Sequence, residues 1–450
     1  MMKLNALLTG VFLLSSSLLF ALEQDTTKNI LEKGIDKIKL QKARHLFMTR
    51  NYNQAQVIYE DLLKEDPDNA LLNFRMGECS LEKKEYETAV NYLEKALVKD
   101  ANAGKELHFY LGKAYHRLEK LEKSDSHFKT FKGTLTDKNS DKYYHEEVNR
   151  FLDQIKVAKT LLASPVDVKI TNMGSRVNTL YDDYGPAISS DGKTLIFSSR
   201  RPDEKNMAKD PNDGKYMEDV YVATWDSVNN VWYPSETIKG RINTEDHDGC
   251  LSLSPDGMDL YIYRNEGDAG NGAGDIYVAR ASSSGKWSSA KQLPKNIINT
   301  TYFESSASVT ADNNQLYFVS ERKGGLGNGD IWVAEKISRN DWGEPINLGP
   351  ILNTKEDERM VFVHPNGKIL FFSSDGPGTM GGYDIFMSKF QDDKWSEPVN
   401  LGYPINTVND EVNFTITADG KKAYTSAIKA GGIGELDIYE IDLSKLNLID

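Results

Sequence analysis

Cysteine is nearly absent from this chain. Cys79 and Cys250 are the only two in 450 residues, they fall in regions of different pattern, and they read as buried thiols rather than a bridge. Neither lies near the N-terminal apolar stretch, so the lipid attachment of a bacterial lipoprotein has no residue to use. Catalytic signatures are missing too: there is no G-x-S-x-G elbow, no H-E-x-x-H and no Walker loop. Histidine is scarce at seven copies, and His108, His116, His127 and His145 lie in a helical region where surface or packing roles explain them. Basic charge is the third shortage. Residues 23–165 are near neutral, with 25 Lys and Arg against 24 Asp and Glu, whereas residues 166–450 hold 28 against 43. An acidic region without basic stripes argues against nucleic acid and anionic lipid as partners.

One long apolar run is present, at the start. Met1-Met2-Lys3 followed by LNALLTGVFLLSSSLLFA is a charged start, an apolar stretch and a small terminal residue, Ala21. This is the pattern of a secretory signal peptide over 1–21, and a membrane anchor is its competitor. The expectation is an exported protein, periplasmic or associated with the outer membrane, with no membrane span left after cleavage.

Residues 22–164 carry small and aromatic side chains at helical spacing. Ala43, Ala55, Tyr59 and Pro67 form one window; Gly77, Ala89, Leu93 and Ala96 repeat it 34 residues on, and Gly112, Tyr115, Phe128 and Phe131 mark a looser third. That is tetratricopeptide spacing, in which small residues let paired helices approach. Asn51-Tyr52-Asn53 and Lys84-Glu85-Tyr86 are read as turns between paired helices, a helix over about 143–162 as the cap, and Ala163-Ser164-Pro165 as the boundary.

Residues 165–450 contain one unit written five times. An Asn-Thr signature recurs at Asn178, Asn243, Asn299, Asn353 and Asn406, and 12 residues after each Thr stands a turn residue: Asp191, Asp256, Asp312, Asn366 and Asp419. Each turn joins two apolar runs as a tight hairpin does, a third run follows a Gly-rich loop, and Trp232, Trp287, Trp342 and Trp395 open a fourth. A four-stranded unit of this size needs neighbours to bury its faces, so the fold class is an α-solenoid followed by a five-bladed β-propeller. The fifth copy lacks its Trp strand. Val166–Gly174 aligns with the missing piece, which predicts a ring closed by an N-terminal strand.

Two constellations recur in every copy. The Gly-rich loops lead to Asp219, Asp275, Asp330, Asp384 and Asp437, where glycine permits positive φ and the Asp accepts backbone bonds at a strand start. Four residues after each signature Thr comes an acid: Asp183, Asp248, Glu304, Glu358 and Glu411. Placed on the first strand of each blade, these carboxylates would stand at one mouth of the axial channel. They are backbone acceptors on one reading, and on the other a ring that holds a hard cation such as calcium. No further cofactor is expected.

The blade text, D-G-K-x-L-x-F-S-S, then G-x-D-I-Y, W-x-E-P-V-N-L-G and I-N-T, resembles the WD40-like repeat of the TolB type. It is similar in particular to periplasmic envelope proteins that join tetratricopeptide repeats to a propeller and often to an OmpA-like domain, such as the PorE-like component of type IX secretion. The resemblance implies an envelope location and a scaffolding role. The chain ends with the propeller, so peptidoglycan binding through an OmpA-like domain is not carried over. The expected function is a non-enzymatic adaptor that binds an envelope protein, or a glycan, through the helical groove or a propeller face. The alternative is a carbohydrate-active or metal-dependent enzyme with its site on the propeller axis, for which an unsymmetrical pocket would be the mark.

Overall fold

A computed structural model describes residues 36–203, 207–210, 213–265, 274–338, 341–429 and 431–449. The expected signal peptide, 1–21, lies outside them. Two compact units are present, 1–152 and 153–450, and the division falls inside a long helix rather than at 164/165. No helix among the described residues is long and apolar enough to cross a membrane.

The first unit is a run of antiparallel helices: α1 over 36–48, α2 (Tyr52–Glu65), α3 (Ala70–Glu82), α4 (Tyr86–Lys99), α5 (Leu107–Arg117), α6 (Leu121–Lys132) and α7 (Lys142–Ala163). Its small residues sit where paired helices meet. A β-carbon on Gly77 would stand 2.4 Å from Leu93 Cγ, and one on Gly112 would stand 2.8 Å from the Phe128 ring. Ala43 packs fully buried with Ala55 and Tyr59. Turn chemistry repeats as well: Arg50, Lys84 and Glu119 all have positive φ, and the N–H of the next residue reaches back five residues to a helical carbonyl, as in Glu85 N to Ser80 O at 2.9 Å. Asn69 caps α3 by accepting from Leu72 N–H.

The second unit is five antiparallel sheets. The blades comprise β2–β6 (Asp183–Ile188, Thr194–Ser199, Asp219–Asp226, Val231–Trp232, Glu236–Thr237), β7–β10 (His247–Leu253, Asp259–Asn265, Asp275–Arg280, Lys291–Gln292), β11–β14 (Glu304–Val309, Gln315–Ser320, Asp330–Glu335, Ile346–Asn347) and β15–β19 (Glu358–Val363, Ile369–Ser374, Asp384–Gln391, Lys394–Trp395, Val399–Asn400). The fifth is β20 (Phe414–Ile416), β21 (Lys422–Ala427) and β22 (Asp437–Asp442), completed at its edge by β1 (Lys169–Asn172). Lys169 pairs with Asp442 and Asn172 with Tyr439, so the N-terminal strand closes the ring as the sequence predicts. First strands touch in one cycle, β2 to β7 to β11 to β15 to β20 and back to β2.

The fourth strands are shorter than the sequence pattern suggests. In blades 1 to 4 each breaks into a Trp piece and a second pair of residues, and in blades 2 and 3 the Trp piece is a single bridge, Ala281 to Trp287 and Lys336 to Trp342. Pro234, Pro345 and Pro398 stand between the two pieces in three blades, where a missing N–H interrupts the ladder. Both cysteines are free and buried, and burial pushes the Cys79 thiol up to about 12.

Candidate functional site

The five-fold signature is spent on joining blades. Each signature Asn bridges to one residue of the preceding blade's third strand, using its amide as a backbone substitute. Asn406 accepts from Ile385 N–H at 2.7 Å and donates to Ile385 O at 2.8 Å. Asn353 does the same to Ile331, Asn299 to Ile276, Asn243 to Val220, and Asn178 to Ile438 across the ring closure.

The five acids serve the same junction. In every blade the carboxylate accepts from the backbone N–H and the hydroxyl of the signature Thr four residues before it: Asp183 from Thr179, Asp248 from Thr244, Glu304 from Thr300, Glu358 from Thr354 and Glu411 from Thr407. Their own N–H groups bond the preceding blade, as Glu411 N does to Tyr383 O at 2.8 Å. An arginine answers three of them, Arg201 to Asp183 at 2.6 Å, Arg264 to Asp248 at 2.6 Å and Arg322 to Glu304 at 3.7 Å. Among the described residues no three His, Cys, Asp or Glu stand together as a metal ion would need. Each carboxylate is held by the signature Thr of its own copy.

Residues 186–188, 251–253, 360–362 and 413–415, from the first-strand regions of four blades, line a cavity of about 10 Å³, roughly the space of one water. Serine hydroxyls stitch neighbouring first strands there: Ser252 Oγ donates to Ala307 O, and Ser306 and Ser308 accept from Val361 and Val363 N–H.

The Gly-rich loops have two uses for glycine, of which the sequence reading anticipates one. Gly324, Gly378 and Gly431 have positive φ, while Gly327, Gly381 and Gly434 let the loop press on the next blade, a β-carbon there falling 2.0 to 2.4 Å from a carbonyl oxygen. Asp330, Asp384 and Asp437 accept backbone N–H bonds at the strand start, from Leu326 and Gly327, from Met380, and from Ile433 and Gly434. Residues 266–273 of the equivalent loop in blade 2 lie outside the described residues.

No arginine answers Glu358 or Glu411 among the described residues, and burial pushes both carboxyls up to about 7. An unfolded glutamate ionises near about 4.3. The folded state therefore keeps protons that the unfolded chain has released, so the stabilisation is complete below about pH 4 and is lost as pH rises to about 7. At pH 8 the Glu358→Gln, Glu411→Gln variant should be more stable than wild type, by on the order of 1–3 kcal/mol per site, and the two should converge as pH falls to about 4. Calcium should shift neither melt. A calcium-dependent rise in wild type that the double variant loses would return a cation to these acids. Destabilisation of the variant at pH 8 would make the ionised carboxylates a requirement of the fold.

One feature breaks the five-fold pattern. An open cleft of about 930 Å³ lies at the outer edge of blades 2 and 3, walled by Lys286, Lys291 and Lys336 and floored in part by Tyr261, Leu293 and Trp342. At the register of Lys291 the other blades carry Glu236, Ile346 and Val399. Sequence reading passed over it because its residues come from two copies of the repeat. The one available signal was that bases replace acids and aliphatics at repeat-equivalent positions.

Residues 46–124 match the tetratricopeptide repeat. No match was found among curated proteins. Solved structures similar to this chain include the type III secretion translocator chaperone SycD of Yersinia enterocolitica, at 17% identity over 28% of this chain and 85% of that one, with a TM-score of 0.26. A luciferin-regenerating enzyme is similar at 12% identity over 61% of this chain and 95% of that one, TM-score 0.34. A putative 6-phosphogluconolactonase from Bacteroides fragilis is similar at 14% identity over 58% and 67%, TM-score 0.30. At these scores none carries an argument about what this chain does.

Proposed function

We propose that the chain is a non-enzymatic adaptor of the cell envelope, in which a tetratricopeptide unit captures a protein partner and the propeller presents a second binding surface. The observation that carries this reading is the use of the propeller's repeated polar residues. The signature Asn and Thr side chains and the five acids are consumed in joining blades, and the cavity between the first-strand regions of four blades has room for about one water. Helical repeats stack into extended surfaces suited to peptides and helices, which makes the first unit the natural capture element. The envelope location, and a link to type IX secretion, rest on the resemblance of the blade text and on the expected signal peptide.

The test is crosslinking capture from envelope fractions, with the mature N-terminus read by mass spectrometry. Cleavage after Ala21 and recovery of one envelope protein in stoichiometric yield are expected. An uncleaved chain that fractionates with the cytosol would overturn the envelope reading. Hydrolysis of a glycan panel by the purified chain would overturn the adaptor reading.

A further inference from the structure

The second unit as a whole is acidic, yet the cleft between blades 2 and 3 is lined by bases. Lys286 and Lys291 are exposed, and no carboxylate among the described residues pairs with either. Lys336 extends the basic rim from blade 3, and its ammonium lies 5.3 Å from the Trp342 ring centroid. Arg280 also lines the cleft, but a two-pronged bond to Asp259, 2.7 Å on each arm, neutralises it and fixes the wall. A second depression of about 590 Å³ shares Lys286, Trp287 and Ser288 and leads on to Arg241, so the basic surface continues past the cleft. The floor is apolar: Tyr261 and Trp342 belong to the blade core with Leu293.

We propose that this cleft is a docking groove for an extended acidic peptide segment of a partner protein, with apolar side chains of the segment against the partly exposed Trp287 and Val278 and its carboxylates along Lys286, Lys291 and Lys336. Charge complementarity selects an anionic occupant, since three ammonium groups with no carboxylate partner among the described residues, on a unit of opposite net charge, focus field into the cleft. Tyr261 is 2% exposed and Trp342 6%, with Lys336 against the latter ring, so the half-buried Trp287 is the aromatic that the cleft presents. An anionic glycan stacked on Trp287 is the competing occupant that the competition experiment separates. What the rings leave open suits aliphatic side chains alternating with acids, and the cleft volume falls within the range of ligand sites. Lys286 stands where blades 1 and 3 carry Val231 and Asp341 and blade 4 carries Lys394, so it is the conjunction with Lys291 and Lys336 that sets this cleft apart. The proposal deepens the adaptor reading, and rests on it for the existence of a protein partner.

The test uses the full chain and a short fluorescein-labelled peptide alternating Glu with Leu, followed by anisotropy. Binding is expected at low salt and should weaken towards about 1 M salt, where the screening length falls to about 3 Å. The Lys286→Glu, Lys291→Glu variant should lose at least about tenfold in affinity with an unchanged melt, since exposed rim charges act on association and leave the fold alone. Lys286→Ala, Lys291→Ala should lose less. Equal affinity of wild type and the charge-reversed variant, or no binding by wild type, overturns the groove. Tighter competition by polygalacturonate than by unlabelled peptide overturns the peptide in favour of an anionic glycan. Capture of an envelope partner by a chain that ignores the peptide would sink the groove and leave the adaptor reading intact. Peptide binding without any envelope partner would do the reverse.

Discussion

Deleting Val166–Gly174 from the full chain should open the propeller. This segment supplies β1, the one strand among the described residues that pairs with the outer edge of β22, through Lys169–Asn172 and Tyr439–Asp442. It also places Val166, Val168 and Ile170 against the cluster of Phe414, Ile416 and Ile441. Two polar anchors leave with it, Asn172 Nδ2 on Asp437 at 2.8 Å and Met173 N on Ile438 O at 3.1 Å. Losing part of the burial of three aliphatic side chains and a four-residue ladder should cost about 3–5 kcal/mol. It also bares a strand edge open to non-native pairing. Limited proteolysis should then cut first within residues 434–449, and the propeller's melting transition should fall and broaden. A deletion variant with wild-type melting and wild-type protease resistance would show that the ring does not depend on closure from both ends.

That strand was legible because its sequence carries the register of the missing piece: Met173-Gly174 before Asn178 stands as Leu401-Gly402 stands before Asn406. Hairpin turns were legible for a similar reason, since Gly192, Gly257, Gly367 and Gly420 all take the positive φ that a tight turn requires. The helical pairs followed from Gly77 and Gly112, whose bare backbones are met by Leu93 and Phe128. The acids were harder to read. Their place at the start of a first strand was legible, but the bonds to the signature Thr were one of two readings, and the register slips that follow Glu304 and Glu358 are announced by no residue type. The bridges from signature Asn to the preceding blade were out of reach for another reason. They join residues about 22 apart whose sole sequence trace is a constant spacing, which many structural roles would produce. The basic cleft was hidden because it is assembled from the odd residues of two repeats, the positions that a search for common pattern sets aside.

Replacing Gly77 by Leu should unfold the helical unit while the propeller stays intact. Gly77 lies mid-way along α3, facing α4, and its missing side chain is what lets the two backbones approach. Even a β-carbon there would stand 2.4 Å from Leu93 Cγ, 2.6 Å from Leu93 Cδ2 and 3.3 Å from Ala89 O, so the helices must part before any further atom of leucine is placed. Leu93 has nowhere to go, since it is fully buried among Phe74, Ala89, Ala96 and Leu111. Overpacking typically costs about 1–3 kcal/mol, and a clash that begins at the first side-chain atom belongs at or above the upper end of that range. Leu93→Ala would relieve part of the clash, so the double variant should recover some stability, which a general effect of leucine on helix propensity would not give. Two melting transitions are expected from the full chain: the one belonging to residues 36–152 should fall by roughly 10–20 °C or vanish, and the propeller's should stay put. Partner capture should fall with the first transition. A variant that captures its partner normally after losing that transition would move the binding surface to the propeller, whereas a wild-type melt would mean that α3 and α4 can separate at little cost.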